Sequence, residues 1–247
     1  MNELEKLTGM VLKQAPIGEF DKRLVLLTRE HGKVTVFAKG ARRQNSPLLA
    51  PTNPFVFGVF FCFRGRDSFR LSQVEAKEYF RELSMDLELA MYGFYFLEFA
   101  DYYTRENNNE SEMLKLLYGA MKALIRGKQD KRLIRYTFEL KAMVLNGEYP
   151  EVFACTGCGK KEGLFAFSLR DNGFLCETCA KGRGRRVKTS TVYTFQYIVS
   201  SPVGKVFAFD VTEEILQEIQ WIMEGFRKKW IDHAFHSLQM LETGENS

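Results

Sequence analysis

Between Leu7 and Val74 the chain alternates short apolar runs with turn residues, and no helical period interrupts them. Five strands are predicted, Leu7 to Lys13, Arg23 to Thr28, Val34 to Lys39, Phe55 to Phe63 and Phe69 to Val74, all rich in Val, Leu and Phe. Turn signals separate them at Pro16-Ile17-Gly18, His31-Gly32, Pro51-Thr52-Asn53-Pro54 and Arg64-Gly65-Arg66-Asp67. Near residue 80 the period changes. Leu83, Leu87, Ala90, Met91, Phe94, Leu97 and Glu98 recur at helical spacing, which predicts a helix with this face inward. A second helix is expected from Ser111 to Arg126, with Leu114, Leu117, Met121, Leu124 and Ile125 inward. A third runs from Lys131 to Leu145 and closes at Asn146-Gly147. Later, Ser190 to Ser200 reads as a short helix ended before Pro202. Asp210 and Glu213 have capping-box spacing and open one long final helix towards Leu241. The tail from Glu242 to Ser247 is expected to fray.

Five strands in roughly 75 residues, with no long helix among them, suit a small closed barrel, of which the OB-fold is the commonest nucleic-acid-binding example. The run Phe55 to Phe63 is apolar on both faces. One face must line the barrel, and the other must be covered or stack on a ligand; the run reads as core. Tyr92, Tyr95, Tyr102 and Tyr103 likewise read as helix packing, and Cys62 as a small buried hydrophobe.

The other four cysteines carry chemistry. Cys155-Thr-Gly-Cys158 and Cys176-Glu-Thr-Cys179 are separated by 17 residues, within the window for a four-thiolate zinc site. Two residues between ligands let a tight turn aim both sulfurs at one ion, and Gly157 and Gly159 let the backbone curl there. The intervening arm holds Leu164 to Leu169 and Gly173 to Leu175, the two strands of a zinc-ribbon hairpin turned at Asp171-Asn172-Gly173. Four thiolates leave tetrahedral zinc no open position, so the expected Zn2+ is single and structural. An iron centre of rubredoxin type uses a similar knuckle and stays open. His233 and His236 read as packing or surface residues rather than as a second metal site.

The fold class expected is multi-domain α+β: an N-terminal OB-fold β-barrel, then a helical bundle interrupted by a four-cysteine zinc-ribbon-like module. The divisions fall at 1–79 for the barrel, 80–150 for the first helical part, 151–188 for the zinc insertion and 189–247 for the second helical part. A length of 247 residues fits this, and 45% hydrophobic residues can fill the cores. The start Met1-Asn2-Glu3 has no basic segment leading into an apolar stretch, and no run is long enough to span a membrane. A cytoplasmic, nucleoid-associated protein is expected. The net charge of +4 is unevenly spread: residues 1–81 carry 14 Lys/Arg against 8 Asp/Glu, and residues 150–190 carry 8 against 4. Two basic blocks on a near-neutral chain favour a polyanion, because each cation that meets a phosphate releases a counterion.

The run Phe20-Asp21-Lys22-Arg23-Leu24-Val25-Leu26-Leu27-Thr28, with His31-Gly32-Lys33 and Phe37-Ala38-Lys39-Gly40-Ala41-Arg42-Arg43, resembles the start of the bacterial recombination and repair protein RecO. Leu145-Asn146-Gly147-Glu148-Tyr149-Pro150 before the first knuckle is similar too, as is the order of parts along nearly the whole chain. The last helix departs from the family, since His233 to Leu238 lacks a basic segment often found there. The resemblance implies a mediator of DNA repair and homologous recombination without catalytic activity. Such a protein binds single- and double-stranded DNA, anneals complementary strands, engages single-strand-binding protein, and acts with RecR to let RecA load.

For DNA contact the residues expected are Lys33, Lys39, Arg42 and Arg43 at the exit of the third strand, and Arg64, Arg66 and Arg70 around the next hairpin tip. The run holding Arg183, Arg185, Arg186 and Lys188 reads either as a second DNA contact or as a flexible, solvated return loop. Lys115, Lys122, Arg126, Lys128, Lys131, Arg132 and Arg135 lie on the second and third helices or between them. They could edge an apolar pocket for the acidic tail of single-strand-binding protein, with Arg132 and Arg135 foremost. The alternative function is an OB-fold and zinc-ribbon module for RNA. No phosphate-cradling Gly-Lys-Ser/Thr loop and no nucleophile elbow is present, and a saturated metal argues against a zinc enzyme.

Overall fold

The computed structural model describes residues 4–244, in two compact units. One unit is Met1–Met121 with Phe235–Ser247, and the other is Lys122–Ala234. The five strands of the expected barrel lie in the first unit, and the four paired cysteines lie in the second.

In the first unit β1 (Leu4–Ile17), β2 (Asp21–Thr28), β3 (Gly32–Ala38), β4 (Phe57–Arg64) and β5 (Phe69–Glu78) close a barrel in the order β1-β2-β3-β5-β4. Antiparallel pairs run throughout except at the short parallel seam of β3 and β5. Strict alternation sends Leu7, Leu24, Leu26, Val34, Val36, Phe60 and Leu71 inward. Cys62 joins them, and burial first, then the charge of Glu5, pushes its thiol up to about 12. The segment between β3 and β4 is a chain of turns held from within. Lys22 is buried, and its Nζ donates to Leu49 O, Thr52 Oγ1 and Asn53 Oδ1.

The first predicted helix is two. A short α1 (Arg81–Met85) ends at Asp86, whose side chain accepts from Leu89 N and starts α2 (Leu87–Tyr103). This restart shifts the buried face. Tyr92, Tyr95, Phe96, Leu97, Phe99 and Tyr103 turn inward, while Leu87 is 78% and Phe94 46% exposed, correcting the predicted stripe. The large aromatic rings win the interior because they bury the most surface. The final helix is also two: α6 (Glu213–Trp230) stops at Trp230, and a separate α7 (His236–Gly244) belongs to the first unit. Phe235 explains the separation, lying 5.3–5.6 Å from the rings of Tyr95, Phe99 and Tyr102. Glu98 accepts from His236 N and Ser237 N and so caps α7. The expected fraying of the tail falls partly outside the described residues; the helix continues as far as Gly244.

The second unit begins inside α3 (Ser111–Arg126), whose Leu114, Leu117, Met121 and Leu124 are buried as expected. Its central helix is α4 (Lys131–Leu145), buried on every side from Leu133 to Met143. The four-cysteine lobe follows as β6 (Leu164–Ser168), β7 (Gly173–Cys176) and a third strand β8 (Arg185–Arg186), with sheet order β7-β6-β8. Then come α5 (Thr189–Ser200) and α6 (Glu213–Trp230). Phe167, Phe174, Phe195 and Trp221 join the lobe to these helices through ring contacts of 5.1–6.3 Å. The capping box predicted at Asp210 does not form. Thr212 occupies the cap position without a side-chain bond, and Glu213 pairs with Arg132 instead. Among the described residues no helix is long and apolar enough to cross a membrane.

Candidate metal centre and nucleic-acid interface

The Sγ atoms of Cys155, Cys158, Cys176 and Cys179 lie within 4.8 Å of one another. Both knuckles are closed by backbone bonds, Gly159 N to Cys155 O and Cys179 N to Cys176 O. The two knuckle glycines serve different ends. Gly159 has φ of +75°, which favours glycine, whereas Gly157 makes room: a Cβ there would stand 3.0 Å from Cys179 Sγ. The Cys158–Cys176 sulfur separation of 3.7 Å is close to the edge of a tetrahedron with metal–sulfur bonds of about 2.3 Å. Electrostatics points the same way. Burial raises the Cys155 thiol, but backbone N–H donors from Cys176, Gly157 and Cys158 outweigh it and hold the group at about 6. Hydrogen bonding to the Cys158 and Cys176 sulfurs instead pushes Cys179 up to about 12. Four thiolates this close repel one another, and a coordinated cation removes the conflict. The four cysteines could therefore hold a metal ion.

Around the barrel, the structure sorts the expected DNA contacts by what already neutralises them. Lys33 is spent: its Nζ donates to Asp101 O at 2.7 Å and pairs with Asp101 Oδ1 at 3.2 Å. Arg64 pairs with Glu5 at 3.6 Å. By contrast Lys39, Arg42, Arg43, Arg66 and Arg70 are exposed and, among the described residues, have no carboxylate in ion-pair reach. The loop that carries three of them is built, not loose. Gly40 N donates to Asp21 Oδ1, Arg42 N donates to Phe20 O, and Arg42 Nη1 reaches Glu19 O. Arg43 lies 5.4 Å over the ring of Phe20. Three residues beside this loop were not among the expected DNA contacts: exposed Arg23, and Phe20 and Phe37 at 39% and 40% exposure. The signal for Phe37 was present, since it holds an outward position of β3 between inward Val36 and Ala38.

Within the second basic run Arg185 and Arg186 form β8, paired to Phe167 and Ala166. Their guanidinium groups lie 5.0 Å over Trp221 and 4.8 Å over Phe165. Lys188 pairs with Glu214, and Arg183 stands 3.9 Å from Asp171. Arg135 corrects the docking expectation. It is 1% exposed inside α4, pairs with Glu139 at 3.5 Å and donates to Tyr136 Oη at 2.5 Å, so it cannot edge a surface pocket. Arg132 is held between Asp130 and Glu213. A groove of the same unit opens at the end of α3 and the start of the following loop. It has a volume of about 380 Å³ and is lined by Ala123, Arg126, Lys128, Gln129 and Phe207–Asp210.

A five-stranded closed barrel followed by helices, with four clustered cysteines that could hold a metal ion, defines an OB-like barrel protein with a candidate metal site. The family described as recombination protein O, N terminal, matches residues 1–80, and that described as recombination protein O, C terminal, matches residues 84–239. This chain belongs to the RecO family of DNA repair proteins. It is 34% identical to the DNA repair protein RecO of Bacillus pumilus, with 98% of this chain and 99% of that one covered. Against the DNA repair protein RecO of Bacillus subtilis the identity is 32%, with 98% and 96% covered.

Proposed function

We propose that the protein is a non-catalytic recombination mediator. It binds single- and double-stranded DNA, anneals complementary strands, and works with RecR so that RecA loads on strands coated by single-strand-binding protein in the cytoplasm. The observation that carries this reading is the loop of Lys39, Arg42 and Arg43, held by hydrogen bonds to the barrel yet without carboxylate partners among the described residues. Annealing demands indifference to sequence, and cations aimed at phosphate with aromatic faces beside them supply it. The metal is read as one structural Zn2+ on Cys155, Cys158, Cys176 and Cys179, and its binding would hold the lobe folded. Arg185 and Arg186 offer a second DNA contact, being exposed and pre-oriented by aromatic rings.

Two labelled complementary oligonucleotides, precoated with the cognate single-strand-binding protein, give the test. Annealing should depend on the protein and fail at high salt. The variant carrying Ala at positions 39, 42 and 43 should bind DNA more weakly, its log–log salt slope falling by about 0.9 for each duplex phosphate no longer neutralised. Selective binding of RNA without annealing would favour the RNA-module reading. For the acidic tail of single-strand-binding protein, the groove at Arg126 and Lys128 replaces the site expected at Arg132 and Arg135. It offers cations beside Phe207 and Phe209, which suit an acidic and apolar peptide. Calorimetry with the tail peptide should show about tenfold weaker binding for Arg126→Glu with Lys128→Glu, because two attractive charges become repulsive. Equal affinity would exclude the groove.

A further inference from the structure

Strand register around the barrel exterior places one outward residue from each strand in a single row. Arg23 of β2 faces Phe37 of β3, and Phe37 faces Arg70 of β5 across the parallel seam. Arg70 then faces Phe63 of β4, and Phe63 faces Leu4 of β1. Cation and aromatic ring therefore alternate across four strands as Arg23, Phe37, Arg70, Phe63. One pair of this row is in contact already, the Arg70 guanidinium lying 5.2 Å over the Phe63 ring. Arg23 and Arg70 are exposed, and among the described residues neither has a carboxylate within ion-pair reach. Phe37 is 40% exposed, and Phe63 is half-buried. One step further along the same faces of β1 and β4, Lys6 lies 5.5 Å over Phe61 and repeats the motif.

We infer that this row is a track for single-stranded DNA, running across the strands from the β2–β3 face over the β3–β5 seam and onto β4. The inference rests on the DNA-binding reading and deepens it by naming the path and the strandedness. Charge complementarity selects the occupant. A polyanion meets two arginines without carboxylate partners among the described residues, and its bases meet the exposed Phe37 ring and the Phe63 ring as Arg70 turns from it to phosphate. Geometry selects single strands over duplex. Neighbouring strands stand about 4.8 Å apart, so the rings of Phe37 and Phe63, two strands apart, are separated by roughly 9.6 Å. Only unpaired bases, free to swing out of a stack, can lay their faces on rings so placed, while the intervening arginine takes the phosphate between them. The row also explains the apolar outer face of the Phe55 to Phe63 run. Phe60 fills the barrel, whereas Phe61 and Phe63 look outward beneath Lys6 and Arg70.

The experiment measures binding of the full-length protein to a labelled oligothymidylate and to a duplex of equal length, over a range of salt. Phe37→Leu and Phe63→Leu should each weaken single-strand binding about fivefold or more, as expected for removing one stacked base, and leave the salt slope unchanged. Their effect on the duplex should be smaller. Arg70→Gln should lower the single-strand slope by about 0.7, the value for one phosphate. Phe63→Tyr keeps a stacking face and should bind as the parent protein does. If Phe63→Leu proves poorly folded, Phe63→Trp replaces it, and its added fluorescence should be quenched by the oligonucleotide. Unchanged single-strand affinity in Phe63→Leu, or no quenching of the Trp variant, overturns the track. Weakened binding in Phe37→Leu alone confines DNA to the β2–β3 face, overturning this path while the DNA-binding reading stands. If the parent protein binds neither oligonucleotide, both readings fall together.

Discussion

Asp101 shows how single residues decide which positive charges are available to DNA. It sits between Lys13 at 2.7 Å and Lys33 at 3.2 Å, and so removes two lysines from the cationic surface. Burial alone would raise its carboxyl, but the bond from Lys13 and the nearby charge of Lys33 outweigh that and hold it below its ordinary value of 3.8. A carboxylate whose folded-state value is depressed stabilises the fold at every pH above its unfolded value. That contribution is lost as pH falls through the folded-state value. The stability difference between the parent protein and Asp101→Asn should therefore be constant near neutrality and shrink below about pH 4. Urea midpoints at a series of pH values measure it, and a difference that grows in acid would contradict this role. Arg135 and Glu139 are the buried counterpart. Their pairing inside α4 is a matter of interior charge balance, since separating such partners strands a charge without water.

At the scale of elements, what a periodic reading recovers depends on whether local pattern or distant pairing creates the element. The five barrel strands were legible because each alternates within itself, as Val34, Val36 and Ala38 do against Lys33, Thr35 and Phe37. The four-cysteine site was legible because ligand spacing is a local property of a tight turn. β8 was not, for two adjacent arginines carry no alternation, and only their pairing to Ala166 and Phe167 makes them a strand. The break before α7 was hidden for a similar reason. Nothing between Trp230 and Phe235 is a strong helix breaker, and the docking of Phe235 among Tyr95, Phe99 and Tyr102 ends the run. Arg135 was misplaced because a helical wheel assumes one face meets water, and α4 has no such face. The Arg23–Phe37–Arg70–Phe63 row lies beyond any reading along the chain, since it depends on register between strands up to 47 residues apart, as from Arg23 to Arg70.

The molecule as a whole divides its labour between units of different cohesion. The barrel unit rests on a sheet closed through the short β3–β5 seam and on a continuous apolar core. The metal lobe of the other unit has a three-stranded sheet whose outer strand is two residues long, so its fold leans on whatever joins the four cysteines. Both tryptophans, Trp221 and Trp230, lie in Lys122–Ala234, and Trp221 packs against Phe167 of the lobe and beneath Arg185. Tryptophan emission therefore reports on one unit alone. Removing metal with a strong chelator should shift that emission and lower the transition it follows. If the barrel carries the DNA contact proposed above, the affinity for oligothymidylate should stay within about twofold, a change of under about 0.5 kcal/mol. Metal analysis before chelation should return one zinc per chain. A fall in DNA affinity in step with the emission change would shift the principal DNA contact from the barrel loop to the strand of Arg185 and Arg186. Retained affinity assigns it to Lys39, Arg42, Arg43 and the row beside them, and gives the metal a purely structural part.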